Sequence, residues 1–395
     1  MKINLAVIFG GKSVEHEVSV ISAVQAMYSL NKEKYEIYPV YMTKKNEFYT
    51  GSALFDMENY KDIPSLLKMC KRVVFVSNDG EASMEYYPAK KFGNNTYAKI
   101  DVALPIVHGT NVEDGILQGY LETLGIPYAG CDVISSAVGM DKYVMKVMLK
   151  EAGVNVLPGF CINSKDFYRD PSDILDKIEL EVGYPVIVKP VNLGSSVGIK
   201  VASDRQALEA ALENAALYAG RILMERAIVN LREINCSVLG DYMTARASVC
   251  EEPLSAGEIL SYDDKYKGGS KGSKGMSSAQ RKIPADLTEE ERKTIESMAV
   301  KTFRVLGCAG VARIDCMIDK DSGEIFVNEI NTIPGSLSFY LWEPSGVPYT
   351  EMLDELIDIA LKRDREKQKL NFSYDTNLLS ENSLSGLKGA KGTKN

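Results

Sequence analysis

Apolar positions in the first 125 or so residues come in short runs separated by helix-spaced patterns. Runs at 3–9, 36–42 and 101–107 read as buried strands, and stretches at about 17–30 and 114–124 repeat at helical spacing. Strands alternating with helices predict an α/β unit built on a parallel sheet with helices on its faces. Further on, Asp141 is placed to cap a helix running to Ala152, with Gly153 as its stop. Met145, Met148, Leu149 and Ala152 form one face of that helix, and Lys142, Lys146 and Lys150 form a second stripe. Strands are expected at 186–189, 198–202 and 221–226 around a helix at about 205–218. From 231 strands dominate until a helix near 286–305, so the C-terminal part reads as α+β. A hairpin at 311–331 and a helix at about 349–364 follow. Residues 373–395 lack periodicity, end in LSGLKGAKGTKN and are expected to form a disordered tail. No internal repeat is visible.

The stretch GYPVIVKPVNLGSSVGIKV, 183–201, breaks the simple pattern. An apolar strand ends on Lys189, and the chain then turns through Gly194, Ser195, Ser196 and Gly198. Hydroxyls and closely approaching backbone N–H groups suit phosphate, and Lys189 and Lys142 add charge. Taken alone, the turn is equally compatible with an ordinary tight hairpin. GGKS at Gly10–Ser13 is not a Walker loop, because the upstream glycine is missing, and no GxGxxG opens a helix after a strand.

ARIDCMIDKDSGEIFVNEIN, 312–331, carries the strongest local signal. Asp321-Ser322-Gly323 is turn chemistry, so 311–319 and 325–331 should pair as an antiparallel hairpin. Centred on Ser322, it places Asp315 opposite Glu329 and Arg313 opposite Asn331, all on one face. Like charges directly opposite destabilise a sheet. A divalent cation between Asp315 and Glu329, with Asn331 as a third oxygen donor, removes that cost and suits magnesium with phosphate oxygens. The alternative is a solvated face with Arg313 bridging the acids. The flanking apolar alternation and Pro334-Gly335 favour the metal.

YDDKYKGGSKGSKGMSSAQRK, 262–282, holds six basic and no acidic residues from Lys265 to Lys282. It reads as a cationic lid, or else as a solvated loop. In GGKSVEHEVS, Glu15 or Glu17 can complement the positive end of a helix, leaving the other to hold a substrate ammonium. His108 ends a strand, where ligand sites of α/β sheets form, but the same position suits a structural histidine.

A length of 395 residues suggests two or three domains. A net charge of −8 argues against general nucleic-acid binding. MKINLAVIFGG reads as a buried strand and not as a secretion signal, and no run approaches a membrane span. Seven scattered cysteines without a CxxC pair read as reduced core thiols in a cytoplasmic protein. With only two histidines, His16 and His108, a metal should be held by carboxylates.

FGGKSVEHEVS, HGTNVEDGILQGYLETLGIPYAG, AVGMDKYVMK, PVIVKPVNLGSSVGI, the DKY lid, GVARIDCMI and NEINTIPG, in this order over roughly 1–365, resemble the D-alanine–D-alanine ligase family of the ATP-grasp superfamily. The resemblance implies three α/β domains: 1–128 for substrate, 129–229 as the central ATP-grasp subdomain, and 230–372 as the C-terminal ATP-grasp and magnesium-binding domain. ATP would lie between the last two. Lys142, Lys189, Ser195, Ser196 and Lys265 would meet its phosphates, Glu225, Arg226 and Ile228 would line the adenine, and Glu233 would reach the ribose. Asp315, Glu329 and Asn331 would hold two magnesium ions, or manganese in their place. One carboxylate would attack the γ-phosphate, and a second amino acid's amine would displace phosphate from the acyl phosphate. Glu15 would bind the first ammonium, steadied by Ser195 and Tyr266. Arg313 and the Gly335 N–H would face the developing negative charge. Lys265 would also serve the second substrate, with His108 nearby, and Tyr266 favours an amino nucleophile over D-lactate.

The implied product is D-alanyl-D-alanine for peptidoglycan precursors, made by a homodimer with no nucleic-acid or membrane partner. One departure concerns the acceptor. After NTIPG the family continues with a longer segment that helps hold the second substrate's carboxylate, whereas this chain has the shorter Gly335-Ser-Leu-Ser-Phe-Tyr-Leu-Trp342-Glu. Ser336, Ser338 and Tyr340 are the substitutes it offers. The departure keeps open a ligase with another acceptor, such as D-serine or another amine. A rival of another class is a non-catalytic ATP- or polyanion-binding protein.

Overall fold

The unbroken apolar run Leu5–Phe9 puts β1 (Ile3–Gly10) between two parallel neighbours, β2 (Tyr35–Met42) and β7 (Val102–Ile106). A strand covered on both faces needs apolar residues throughout, and Leu5 to Phe9 are all 0% exposed. The computed structural model describes residues 2–194, 197–253 and 281–371. α1 (His16–Ser29) follows β1, and α2 (Ile63–Met69) and α3 (Ile116–Thr123) complete the helices of this part.

The first sheet is larger and more mixed than a purely parallel one. β3 (Phe48–Thr50), β4 (Lys71–Asn78), β5 (Glu81–Tyr86) and β6 (Thr96–Lys99) extend it antiparallel, in the order β6-β5-β4-β3-β2-β1-β7. These strands are partly solvated, so they carry no long apolar run.

α4 (Val133–Met140) and α5 (Lys142–Glu151) lead into the second sheet. Asp141 caps α5 by accepting from the Tyr143 and Val144 N–H groups. β8 (Gly159–Asn163), α6 (Ser164–Arg169), α7 (Pro171–Glu181), β9 (Val186–Pro190), β10 (Lys200–Ala202), α8 (Arg205–Ala216) and β11 (Arg221–Arg226) form an antiparallel unit with strand order β10-β9-β11-β8. Val186, Val188, Ile222 and Met224 pack on α7 and α8. By the pleat, Lys189, Leu223 and Glu225 then share the opposite face.

The third sheet is antiparallel, ordered β14-β13-β12-β15-β16. Its strands are β12 (Leu231–Gly240), β13 (Arg246–Pro253), β14 (Arg281–Lys282), β15 (Gly310–Asp319) and β16 (Ile325–Asn331). α9 (Glu289–Val305), begun by a Thr288/Glu291 capping box, lays Ile295, Ala299 and Phe303 on Ile234, Cys236, Ile314 and Val327. The other face is polar. Register lines up Glu251, Asn235, Asp315 and Glu329 across four strands, and Ser237, Arg313 and Asn331 in the next row.

α10 (Phe339–Trp342) and α11 (Tyr349–Lys367) follow. Leu337, Trp342, Met352 and Leu356 belong to the same apolar core as the first sheet. A compact unit ends at Leu361, and a second begins at Lys362 with the last residues of α11. All seven cysteines are free thiols, six of them buried and Cys161 half-buried. Among the described residues no helix is long and apolar enough to cross a membrane. The 373–395 tail lies outside the described residues.

Candidate active site

The 310–331 hairpin turns where its Asp-Ser-Gly run predicts, with the Gly323 N–H donating to the Asp319 carbonyl at 2.7 Å. Arg313 faces Asn331 and Asp315 faces Glu329, as the spacing requires. Between Asp315 and the turn the register slips to Cys316 opposite Val327, leaving Asn328 as a bulge residue. The consequence is local. Val327 and Ile330 both stay in the core, while the Asn328 side chain reaches β9 of the second sheet and the Glu329 side chain reaches the start of α5.

What they meet there are the two lysines read from sequence. Lys142 opens α5, and its Nζ lies 3.1 Å from Glu329 and donates to the Leu193 carbonyl at 2.9 Å. Lys189 donates to Glu225 at 2.9 Å and to the Asn328 carboxamide oxygen at 3.0 Å. Lys146, one turn along α5, pairs with the other oxygen of Glu225. Glu225 is therefore a fully buried carboxylate held between two buried ammoniums. Burial alone raises its pKa, but Lys146 and Lys189 outweigh it and hold the carboxyl below its usual range. Burial pushes the Lys146 ammonium down to about 8, against the pull of Glu225. Removing one member of such a set leaves an uncompensated buried charge and costs roughly 3–5 kcal/mol.

Arg313 forks onto Asp315 with two 2.7 Å hydrogen bonds, and the Asn331 amide donates to Asp315 at 3.0 Å. The guanidinium thus pairs with one acid only, and Lys142 takes the other. Each opposed carboxylate has its own cation, which relieves the like-charge cost of the register. Two carboxylates and a carboxamide on one face are hard oxygen donors, a set that fits magnesium. Among the described residues no group of three His, Cys, Asp or Glu gathers as metal ligands. The third donor here is an amide, outside that class.

Next to Glu225 the sheet face turns apolar. Leu157, Met317 and Phe326 cluster with Ile228 and Leu231, and Glu233 stands opposite Met317. Arg226 reaches Asp319 at 3.4 Å. The sequence reading named Glu225, Arg226, Ile228 and Glu233. It missed Leu157, Met317 and Phe326, the slab a planar ring would need, and it missed Lys146 and Asn328.

Glu15 stands at the N-cap of α1 but makes no capping bond through its side chain. Glu17 occupies the first turn and pairs with Lys44 at 2.8 Å. The Glu15 carboxylate instead lies against two glycines. A Cβ on Gly109 would come within 2.7 Å of it, and one on Gly194 within 3.3 Å. Gly109 also has φ +81°, so a side chain there would be both strained and blocked.

His108 is buried, with both ring nitrogens engaged. Nδ1 lies 2.8 Å from the Ile333 carbonyl and Nε2 lies 3.1 Å from Ser22 Oγ, which accepts the Ser336 N–H at 2.9 Å. A carbonyl oxygen can only accept, so Nδ1 carries the proton and Nε2 accepts from the Ser22 hydroxyl. Burial pushes the imidazole pKa down and keeps it neutral. His108 thus fixes the 333–336 segment.

Glu113, unnoticed in sequence, does the same. It accepts from the Gly109 N–H at 2.9 Å, the Ile333 N–H at 2.8 Å and the Thr332 hydroxyl at 3.3 Å. Burial pushes its carboxyl up to about 7. In the unfolded chain the group ionises near pH 4.5, so stability falls as pH rises from there to about 7. We expect the protein to lose about 3 kcal/mol between pH 4.5 and 8 relative to a Glu113→Gln variant. Urea unfolding at both pH values measures it, and parallel profiles would contradict the assignment.

The shortened segment adopts a left-handed turn. Ser336, Leu337 and Ser338 have φ of 50°, 52° and 54°, a conformation costing about 1–2 kcal/mol per residue. Gly335 enters it from Pro334. The Ser336 hydroxyl donates to Gln25 at 2.7 Å, and the Leu337 N–H donates to the Pro334 carbonyl at 2.8 Å. Burial of Leu337 returns about 1.5–3 kcal/mol. Ser338 is 0% exposed. Tyr340 donates to Glu251 at 3.1 Å, and Trp342 Nε1 to Ser237 at 2.9 Å. Ser195, Ser196, Lys265 and Tyr266 lie outside the described residues.

The chain is similar to known proteins over most of its length. The D-alanine–D-alanine ligase of Thermosipho melanesiensis is 38% identical over 377 residues, 95% of this chain and 98% of its own length. That of Thermoanaerobacter sp. is 40% identical over 377 residues, covering 93% and 98%. Among solved structures, the VanG D-Ala:D-Ser ligase from Enterococcus faecalis is 31% identical with a TM-score of 0.76, covering 91% of this chain and 100% of that one. The D-alanine–D-alanine ligase from Coxiella burnetii is 29% identical with a TM-score of 0.75, covering 93% and 96%. The models for the D-ala D-ala ligase N-terminus and C-terminus match residues 4–131 and 148–358, and with full-length relatives at this identity the chain belongs to the D-alanine–D-alanine ligase family.

Proposed function

We infer that this chain joins two D-alanines at the expense of ATP, giving D-alanyl-D-alanine for peptidoglycan precursors. The observation that carries the reading is a pair of lysines, Lys142 at the start of α5 and Lys189 on β9 of the second sheet, meeting consecutive residues Glu329 and Asn328 of the third sheet. Cations from one wall and acids from the other is what a magnesium triphosphate requires of a cleft. Lys142 and Lys189 move to the phosphates, joined by Ser195, Ser196 and Lys265. The base lies on the Met317/Phe326 slab beside Glu225, Arg226 and Ile228, and Glu233 serves the ribose.

Asp315, Glu329 and Asn331 hold two magnesium ions, which supply charge neutralisation at the transferring phosphoryl group. Glu15 takes the first ammonium, with Ser195 and Tyr266. The first carboxylate attacks the γ-phosphate, and ADP leaves. The acceptor amine then adds to the acyl phosphate carbonyl, and phosphate leaves. Arg313 and the Gly335 N–H stabilise the oxyanion of that second step. The reading divides the chain into units at 1–128, 129–229 and 230–372. A homodimer in the cytoplasm is expected from the family alone.

A second reading, with D-serine or another amine as acceptor, is favoured by the short 335–342 segment and the likeness to a D-Ala:D-Ser ligase. Incubation with magnesium, ATP and D-alanine, followed by ADP assay and product mass, tests both. We expect D-alanyl-D-alanine. ADP release only when a second amine is supplied would favour the other acceptor. No ADP with any amino acid would overturn ligation.

A further inference from the structure

Glu225 holds two ammoniums, and their surroundings give them different duties. Lys146 donates to Oε1 and Lys189 to Oε2, the latter at 2.9 Å. Lys146, Lys189 and Glu225 are 5%, 3% and 0% exposed. Lys189 divides its donors between Glu225 and the Asn328 carboxamide at 3.0 Å, one residue from Glu329. Lys146 has Glu225 as its one hydrogen-bond partner among the described residues. Lys146 and Glu225 also line a pocket of about 490 Å³ with Val147, Val154, Leu157 and Leu223, which leaves room for a longer side chain. The two ammoniums repel across the shared carboxylate. Lys189 presses the Lys146 pKa down, and Lys146 acts on Glu225 more strongly than Lys189 does. A phosphate chain that draws Lys189 away therefore relieves a like-charge contact but strips Glu225 of one cation. A carboxylate buried this deeply is costly to leave uncompensated, so the other cation has to stay.

We propose that Lys146 is a positioning residue for the nucleotide: it keeps the Glu225 carboxylate paired and in place, so that Lys189 can turn to the phosphate chain. The inference rests on the assignment of Lys189 to the phosphates in the ligase reading above, and it adds what compensates Glu225 afterwards. Lys146 acts through Glu225 and Lys189 and makes no phosphate contact of its own. Its effect follows the pull on Lys189. It is therefore felt by nucleotides that carry a phosphate chain and not by adenosine.

The test is calorimetric titration of the full-length protein with magnesium ADP and with adenosine, which differ in the phosphates. Wild type, Lys146→Met, Lys146→Arg, Glu225→Gln and the double variant Lys146→Met/Glu225→Gln are compared. We expect Lys146→Met to weaken ADP binding about 30- to 300-fold, with adenosine within about threefold. That is the lower part of the cost of an unpaired buried carboxylate, because Lys189 can leave one of its three donors on Glu225. Lys146→Arg keeps the charge and should bind ADP within about fivefold of wild type. In the Glu225→Gln background no carboxylate holds Lys189, so loss of Lys146 should change ADP affinity by no more than about threefold. In steady-state ligation Lys146→Met should raise the ATP KM, with kcat at saturating ATP and the D-alanine KM within about threefold. Equal weakening of ADP and adenosine would make Lys146 a structural residue only and overturn the proposal. So would unchanged ADP affinity, or a loss as large with Gln at 225 as with Glu. Should Lys146→Met not fold, Lys146→Gln, which keeps a donor for Glu225 without the charge, takes its place. A wild type that binds ADP but joins no amino acids would overturn the ligase reading, and the binding comparison would still decide the role of Lys146. A wild type that binds no ADP would overturn both.

Discussion

Glu329→Gln should lower turnover by at least about 10³-fold while the protein stays folded. The loss follows from removing one of the charges that neutralise the transferring phosphoryl group, an interaction worth several kcal/mol. The fold should survive for reasons visible in the sheet. Glu329 faces Asp315 directly, so the substitution removes one of two opposed charges, which offsets the loss of the carboxylate that faces Lys142. Lys142 keeps the Leu193 carbonyl and can still donate to the new amide oxygen. Thermal unfolding within a few degrees of wild type, together with the loss of turnover, fits the assignment. Near-normal turnover would refute Glu329 as a metal ligand.

Arg313→Met should be nearly as severe, at about 10²–10³-fold in kcat. Its fork is rigid because both arms are fixed on Asp315, so it requires no reorganisation when the oxyanion forms. An interaction made only in the transition state lowers kcat and kcat/KM together, so the ATP KM should hold. A rise in ATP KM with kcat preserved would instead make Arg313 a nucleotide anchor. Because Asp315 would lose its cation, some loss of stability is also expected, measurable in urea.

The opposed acids were legible because register in a short hairpin follows from the turn, and Asp-Ser-Gly fixes the turn. The bulge was not legible. It needs one extra residue on one strand, and Asn328 carries no glycine or proline to mark it. Yet it is the bulge that lets both Asn328 and Glu329 reach the lysines. The α5 stripe of Lys142, Lys146 and Lys150 was visible as periodicity. The separate task of Lys146 was not, because its partner Glu225 lies 79 residues away. His108 illustrates the opposite case: a strand-end histidine suggested substrate contact, and the structure uses both of its nitrogens within the protein. The antiparallel strands between 48 and 99 escaped notice since half-solvated strands mix polar and aromatic residues.

The central claim is that phosphate passes through an acyl phosphate in the cleft between Lys142/Lys189 and Asp315/Glu329. The most direct measurement supplies D-alanine with both carboxylate oxygens replaced by ¹⁸O, together with ATP and magnesium, and takes the masses of the products. The attacking carboxylate oxygen ends in the bond to phosphorus and leaves with it. We therefore expect one ¹⁸O in each inorganic phosphate and one retained in the peptide carbonyl, with ADP as the other product. Unlabelled phosphate, or AMP in place of ADP, would contradict it.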